Sequence, residues 1–116
     1  MSSYRFNCAL QAGSRTLDGA SDNGNYDSPP SATQAIEVVE RVRKLGENAL
    51  PNGAHDAFNK AIDEVISWLE AQAGVGYRPS GNYDITEARA KFTYKGTEYR
   101  VDIKAGGKTS GDSWFF

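Results

Sequence analysis

The spacing of the apolar residues changes twice along this chain, and this change limits the folds open to it. Every second residue is apolar over 4–11, every third or fourth over 31–70, and every second again over 88–104. A period of two places alternate side chains on one face of a β-strand, whereas a period of 3.6 forms one apolar stripe along an α-helix. The pattern therefore predicts a strand, then helices, then strands.

The first periodic segment predicts a half-buried strand. Its alternating apolar positions are Tyr4, Phe6, Cys8 and Leu10. Residues 12–30, which follow, are dominated by Gly, Ser, Asn, Asp and Pro, with Leu17 and Tyr26 as the sizeable apolar exceptions. Because turn-forming residues without an apolar face have little to bury, this composition predicts a flexible loop.

The central segment predicts two helices joined by a short turn. Ser31 and Gln34 have capping-box spacing for the start of the first helix, and Gly46 is placed to end it. The second helix begins near Ala54, and its apolar stripe contains Phe58, Ala61, Ile62, Val65, Ile66 and Leu69. Amphipathic helices with so short a connection are expected to pack as an antiparallel hairpin.

The last periodic segment predicts a β-hairpin, because two alternating runs meet at Lys95-Gly96. A lone hairpin is marginal in water, so the strand over 4–11 is expected to pair with it. The chain is thus predicted to be a single domain, 1–116. Its expected fold is an α+β two-layer sandwich, with an antiparallel sheet of three or four strands on an α-helical hairpin, in the order β-α-α-β-β. A short C-terminal strand over 113–116 would be the fourth.

The charge excludes some classes of partner. The formal net charge of -2 argues against general nucleic-acid binding, which usually needs a clearly basic domain. Residues 77–116 nevertheless hold seven Lys and Arg against five Asp and Glu, so this part can attract an anion. One Cys and one His exclude a disulfide within the chain and Cys-rich or His-rich metal sites, so we expect no metal and no cofactor.

The sequence also predicts a location. Residues 1–7 lack the apolar run of a signal peptide, and no stretch approaches the roughly 20 apolar residues of a membrane span. We therefore expect a cytoplasmic protein without membrane contact.

The predicted hairpin carries the candidate binding residues. Four cations alternate with its apolar positions and are expected to share the outward face: Arg89, Lys91, Arg100 and Lys104. Such a face suits an acidic protein or a small anionic ligand, and it is also typical of a solvated sheet surface. Trp114 belongs to a run of three aromatic residues that either closes the core or contacts a partner.

Asp102 and Lys104 support a different hypothesis. They lie two residues apart on a predicted strand, with Asp84 or Glu87 as an upstream acid. This arrangement resembles the D…(D/E)-x-K core of restriction-type nucleases. The resemblance implies that the carboxylates hold Mg²⁺ and that the lysine assists the attacking water.

Three functional hypotheses follow. The leading one is a small non-enzymatic binding protein that inhibits or sequesters its partner, in the style of phage anti-defence, mobile-element or toxin-immunity proteins. The second is the metal-dependent nuclease. The third is an assembly subunit that associates, for example as a homodimer, through the aromatic residues at 114–116.

Overall fold

The computed structural model describes residues 4–27, 30–72 and 80–110, with side chains over 4–27, 30–71 and 90–104. The strands are β1 (Tyr4–Ala12), β2 (Arg15–Tyr26), β3 (Ser80–Tyr94) and β4 (Thr97–Ser110). The helices are α1 (Ala32–Ala49) and α2 (His55–Gln72), with a 3₁₀ turn over Asn52–Ala54 between them. All four strands pair antiparallel in the order β2-β1-β4-β3. The predicted α+β fold is therefore confirmed.

The helices form the second layer. α1 packs against β1 and β2, and α2 packs mainly against β3, so the two helices cover one face of the sheet. The core between the layers contains Phe6, Leu10, Val38, Phe58, Ile62, Val65 and Val101, all fully buried. The central β1–β4 pair joins the two hairpins, which confirms that the first strand pairs with the C-terminal hairpin.

The sequence-based prediction of a loop over residues 12–30 is wrong for residues 15–26, which form β2. This strand pairs with β1 from Tyr26 opposite Tyr4 to Arg15 opposite Ala12, so the element order is β-β-α-α-β-β. The composition predicted a loop in place of a strand because β2 is an edge strand. Only one residue of β2, Ala20, is buried, so the strand needs no apolar alternation.

The two turns of the sheet have the expected chemistry. Gly13 has φ +65° in the turn from β1 to β2, and Lys95 and Gly96 have φ values of 48° and 81° between β3 and β4. Two consecutive positive φ angles are the geometry of a type I′ hairpin turn, which confirms the prediction at Lys95-Gly96. The predicted strand over 113–116 lies outside the described residues.

The start of α1 follows the prediction, but its end does not. Gln34 N–H donates to Ser31 Oγ at 3.1 Å and Ser31 N–H donates to Gln34 Oε1 at 2.9 Å, which completes the capping box. The prediction that Gly46 ends this helix is wrong, because the helix continues to Ala49. Gly46 instead lies where α1 meets α2, and a Cβ at this position would collide with the ring of Phe58.

Neither helix in the described part of the chain combines the length and the apolar character needed to cross a membrane.

Candidate functional site

The candidate site lies on the face of the sheet opposite the helices, which we call the outer face. Directly paired residues of antiparallel strands project to the same side, so the register defines rows across this face. One row contains Asn23 on β2, Asn7 on β1 and Lys104 on β4. A row farther along contains Thr16, Gln11, Arg100 and Lys91.

The strand register places the four predicted cationic residues at different positions along the sheet. Lys91 lies opposite Arg100, but Lys104 is four residues farther along β4, a distance of about 13 Å. Arg89 is the extra residue of a β-bulge, between the pairs of Ala88 and Ala90 with β4. Its side chain lies outside the described part of the chain, as does all of Trp114. The described cations therefore form two separate groups rather than one.

Arg100 is engaged within the protein. Its Nε and Nη2 atoms donate to Asp102 Oδ1 and Oδ2, each at 3.3 Å, and its Nη1 donates to the carbonyl oxygen of Gly13 at 3.2 Å. The hydrogen bonds to Asp102 raise the pKa of Arg100. The paired carboxylate offsets the positive charge of Arg100, so this end of the outer face attracts anions less strongly than the sequence suggested.

The same pair bears on the nuclease hypothesis. Both carboxylate oxygens of Asp102 accept hydrogen bonds from Arg100, and the Asp102 side chain is only 14% exposed. A metal ion at Asp102 would have to displace this guanidinium. Within the described residues no group of three His, Cys, Asp or Glu side chains could hold a metal ion, and the side chains of Asp84 and Glu87 lie outside that part.

Lys104 instead lines an open basin on the outer face, which we call the donor basin. Its volume is about 430 Å³, and the residues with described side chains that line it are Arg5, Asn7, Asn23 and Lys104. Arg5 is two residues before Asn7 on β1 and therefore lies on the same face. The structure thus places one predicted site residue, Lys104, together with three that sequence reasoning missed.

A chain of hydrogen bonds holds the Asn7 side chain and the Asn23 backbone. Asn7 Nδ2 donates to the carbonyl oxygen of Asp22 at 3.1 Å, and the backbone N–H of Asn23 donates to Asp22 Oδ1 at 2.8 Å. Asp22 Oδ2 in turn accepts a hydrogen bond from Arg41 Nε of α1 at 2.5 Å, which raises the pKa of Arg41. The wall of the donor basin is therefore anchored to the helical layer.

The chemistry of the donor basin favours an oxyanion. Arginine and lysine supply N–H donors and no acceptor, and each asparagine adds an amide donor group. Of the residues with described side chains that line the donor basin, none is a carboxylate. Charge-assisted hydrogen bonds from such donors to carboxylate or phosphate oxygens are roughly twice as strong as neutral ones.

Two other reactive side chains have structural roles. Cys8 is fully buried, and burial, followed by the nearby charge of Asp102, raises the pKa of its thiol to about 12. It is therefore an inert core residue, as the sequence predicted. The ring Nε2 of His55 lies 3.0 Å from the carbonyl oxygen of Leu50, next to the turn between the helices.

The comparisons with known proteins add no functional information. No protein-family model, no curated protein and no solved structure matches the chain. A functional conclusion must therefore rest on the geometry and chemistry of the outer face.

Proposed function

We propose that this chain is a small non-enzymatic binding protein that holds an acidic segment of a partner protein on the outer face of its sheet. In this role it acts as an inhibitor or a sequestering protein. The observation that carries the proposal is the donor basin on the sheet face that the helices leave uncovered. Cations and amide donors on an open face provide charge complementarity to an acidic surface.

The shape of the site favours a protein partner over a small anionic ligand. Small-molecule sites are mostly concave and apolar, with a few polar groups that orient the ligand. The donor basin is open, and the lining residues with described side chains, Arg5, Asn7, Asn23 and Lys104, are all polar. Its surroundings are a sheet face four strands wide, or about 14 Å between the outer strands. A surface of this kind suits an extended segment better than an enclosed molecule.

The distribution of charge between the two layers also supports binding of an acidic partner at the outer face. The exposed side of α2 carries four acidic residues against one lysine: Asp56, Asp63, Glu64, Glu70 and Lys60. The outer face carries Arg5, Lys91 and Lys104 at exposed positions, against the exposed acid Glu98. An acidic partner is therefore repelled by α2 and attracted to the opposite layer, which steers its approach.

A short fluorescent oligo-glutamate peptide tests the proposal. Fluorescence anisotropy should detect its binding to the wild-type protein, and added salt should weaken that binding because exposed charges are screened beyond about 8–10 Å. A glycine-serine peptide of equal length is the control. Equal binding of both peptides, or no binding of oligo-glutamate, would refute the proposal. Tighter binding of a single-stranded oligonucleotide than of oligo-glutamate would assign the face to nucleic acid instead.

A further inference from the structure

We infer that the donor basin is a carboxylate-binding subsite, in which Arg5 and Lys104 hold one acidic side chain of the partner and Asn7 and Asn23 orient it. This inference rests on the proposed function and names the place on the outer face where the partner is anchored. It moves the centre of binding away from the Lys91–Arg100 end, where the sequence placed half of the predicted cations.

The strand register brings these four donors together. Asn7 is directly paired with Asn23 on one side and with Lys104 on the other. Adjacent strands are about 4.8 Å apart, and Arg5 lies about 7 Å along β1 from Asn7. Donors from three strands therefore surround one position on the face. Within the described residues the Arg5 side chain makes no hydrogen bond and no ion pair, so its five N–H donors face no competitor there.

The subsite is also preorganised. Asp22 accepts from Arg41 of α1, and its carboxylate and carbonyl oxygens hold the Asn23 backbone and the Asn7 amide. One N–H of the Asn7 amide is engaged with Asp22, and the second remains to donate to a ligand. Residues that need no rearrangement lose less conformational freedom when a ligand binds. Asp22 and Arg41 are therefore positioning residues for this subsite.

The opposite end of the outer face lacks this arrangement. Asp102 pairs with Arg100 through both carboxylate oxygens, and the Lys95 ammonium lies 5.5 Å from the centre of the Tyr94 ring. Lys91 and Lys95 are exposed, and neither is among the residues that line the donor basin. They form a control site with the same number of exposed charges.

A charge-matched pair of double variants tests the inference with the oligo-glutamate peptide. Arg5→Gln with Lys104→Gln should weaken binding by at least about tenfold, which is about 1.4 kcal/mol. Lys91→Gln with Lys95→Gln removes the same charge from the far end and should weaken binding by less than about threefold, because only screened long-range attraction is lost. Circular dichroism and thermal melts should confirm that both variants are folded.

A second comparison changes charge without changing size. Asn23→Asp places a carboxylate in the donor basin and should weaken peptide binding by at least about tenfold, whereas Gln11→Glu, at the far end of the outer face, should have the smaller effect. If wild type binds and both double variants lose affinity equally, the subsite is refuted while the proposed function stands. If wild type does not bind oligo-glutamate, the proposed function itself fails.

Discussion

The contact between the two helices makes a sharp prediction at Gly46. Replacing an interior helical glycine by alanine alone would stabilise α1 by about 1 kcal/mol. Here the added methyl group would enter the space of the Phe58 ring. That ring is fully buried and lies tilted against Phe92, with 6.1 Å between centroids, so it cannot turn away without disturbing the core.

The clash should outweigh the helix propensity. Overpacking a core typically costs about 1–3 kcal/mol, so Gly46→Ala should lower the free energy of unfolding by up to about 2 kcal/mol after the propensity gain. Urea denaturation measures this as a lower midpoint with an unchanged slope. Asn48→Ala, at an exposed position of the same helix, is the control and should stabilise the protein by about 0.5 kcal/mol.

A double-mutant cycle identifies the cause. Phe58→Leu replaces the ring by a smaller side chain. It should reduce the loss of unfolding free energy caused by Gly46→Ala, because the added methyl group then has space. A higher urea midpoint for Gly46→Ala in the wild-type background would show that the helices can separate at no cost. Our description of Gly46 as a helix-crossing residue would then be wrong.

Three further predictions concern the core, the thiol and the edge strand. Ile62→Ala removes a fully buried side chain and should cost about 2–5 kcal/mol in urea denaturation; an unchanged midpoint would remove α2 from the core. Because burial raises the pKa of Cys8 from 9.0 to about 12, the folded state keeps a proton that the unfolded state loses, so stability should fall by up to about 1.4 kcal/mol per pH unit above pH 9. Cys8→Ala should lack that decline, and an equal decline in both proteins would contradict the assignment. Alternate amides of β2 between Ala20 and Tyr26 donate to β1 and should exchange slowly with solvent, whereas uniformly rapid exchange would restore the predicted loop.

The spacing of the apolar residues predicted the layers of this fold because burial of one face of each element requires that spacing. Tyr4, Phe6, Cys8 and Leu10 alternate because one face of β1 meets the helices, and all four are buried. β2 could not be found in this way, since its outer face and one edge lie in solvent and Gly24 sits beneath the Tyr26 ring. Gly46 followed the rule for a helix end, yet its position was determined by a contact with Phe58 that no local pattern contains.

The site was predictable only in part, for a similar reason. Alternation placed Lys104 on the outward face of its strand, and the same alternation places Arg5 and Asn7 outward on β1. Bringing these residues together required the pairing of Asn7 with Lys104, which joins segments nearly one hundred residues apart. Asn23 lies on β2, which the composition of residues 12–30 did not reveal, so no pattern in the sequence points to it.

The most direct test of binding at the donor basin uses the side-chain amide resonances of the asparagines. In a titration of the ¹⁵N-labelled protein with the oligo-glutamate peptide, the signals of Asn7 and Asn23 should shift in a saturable manner. Those of Asn52 and Asn59, which belong to the helical layer, should stay in place. Saturable shifts at Asn52 or Asn59, with Asn7 and Asn23 unchanged, would contradict the assignment of the outer face as the binding surface.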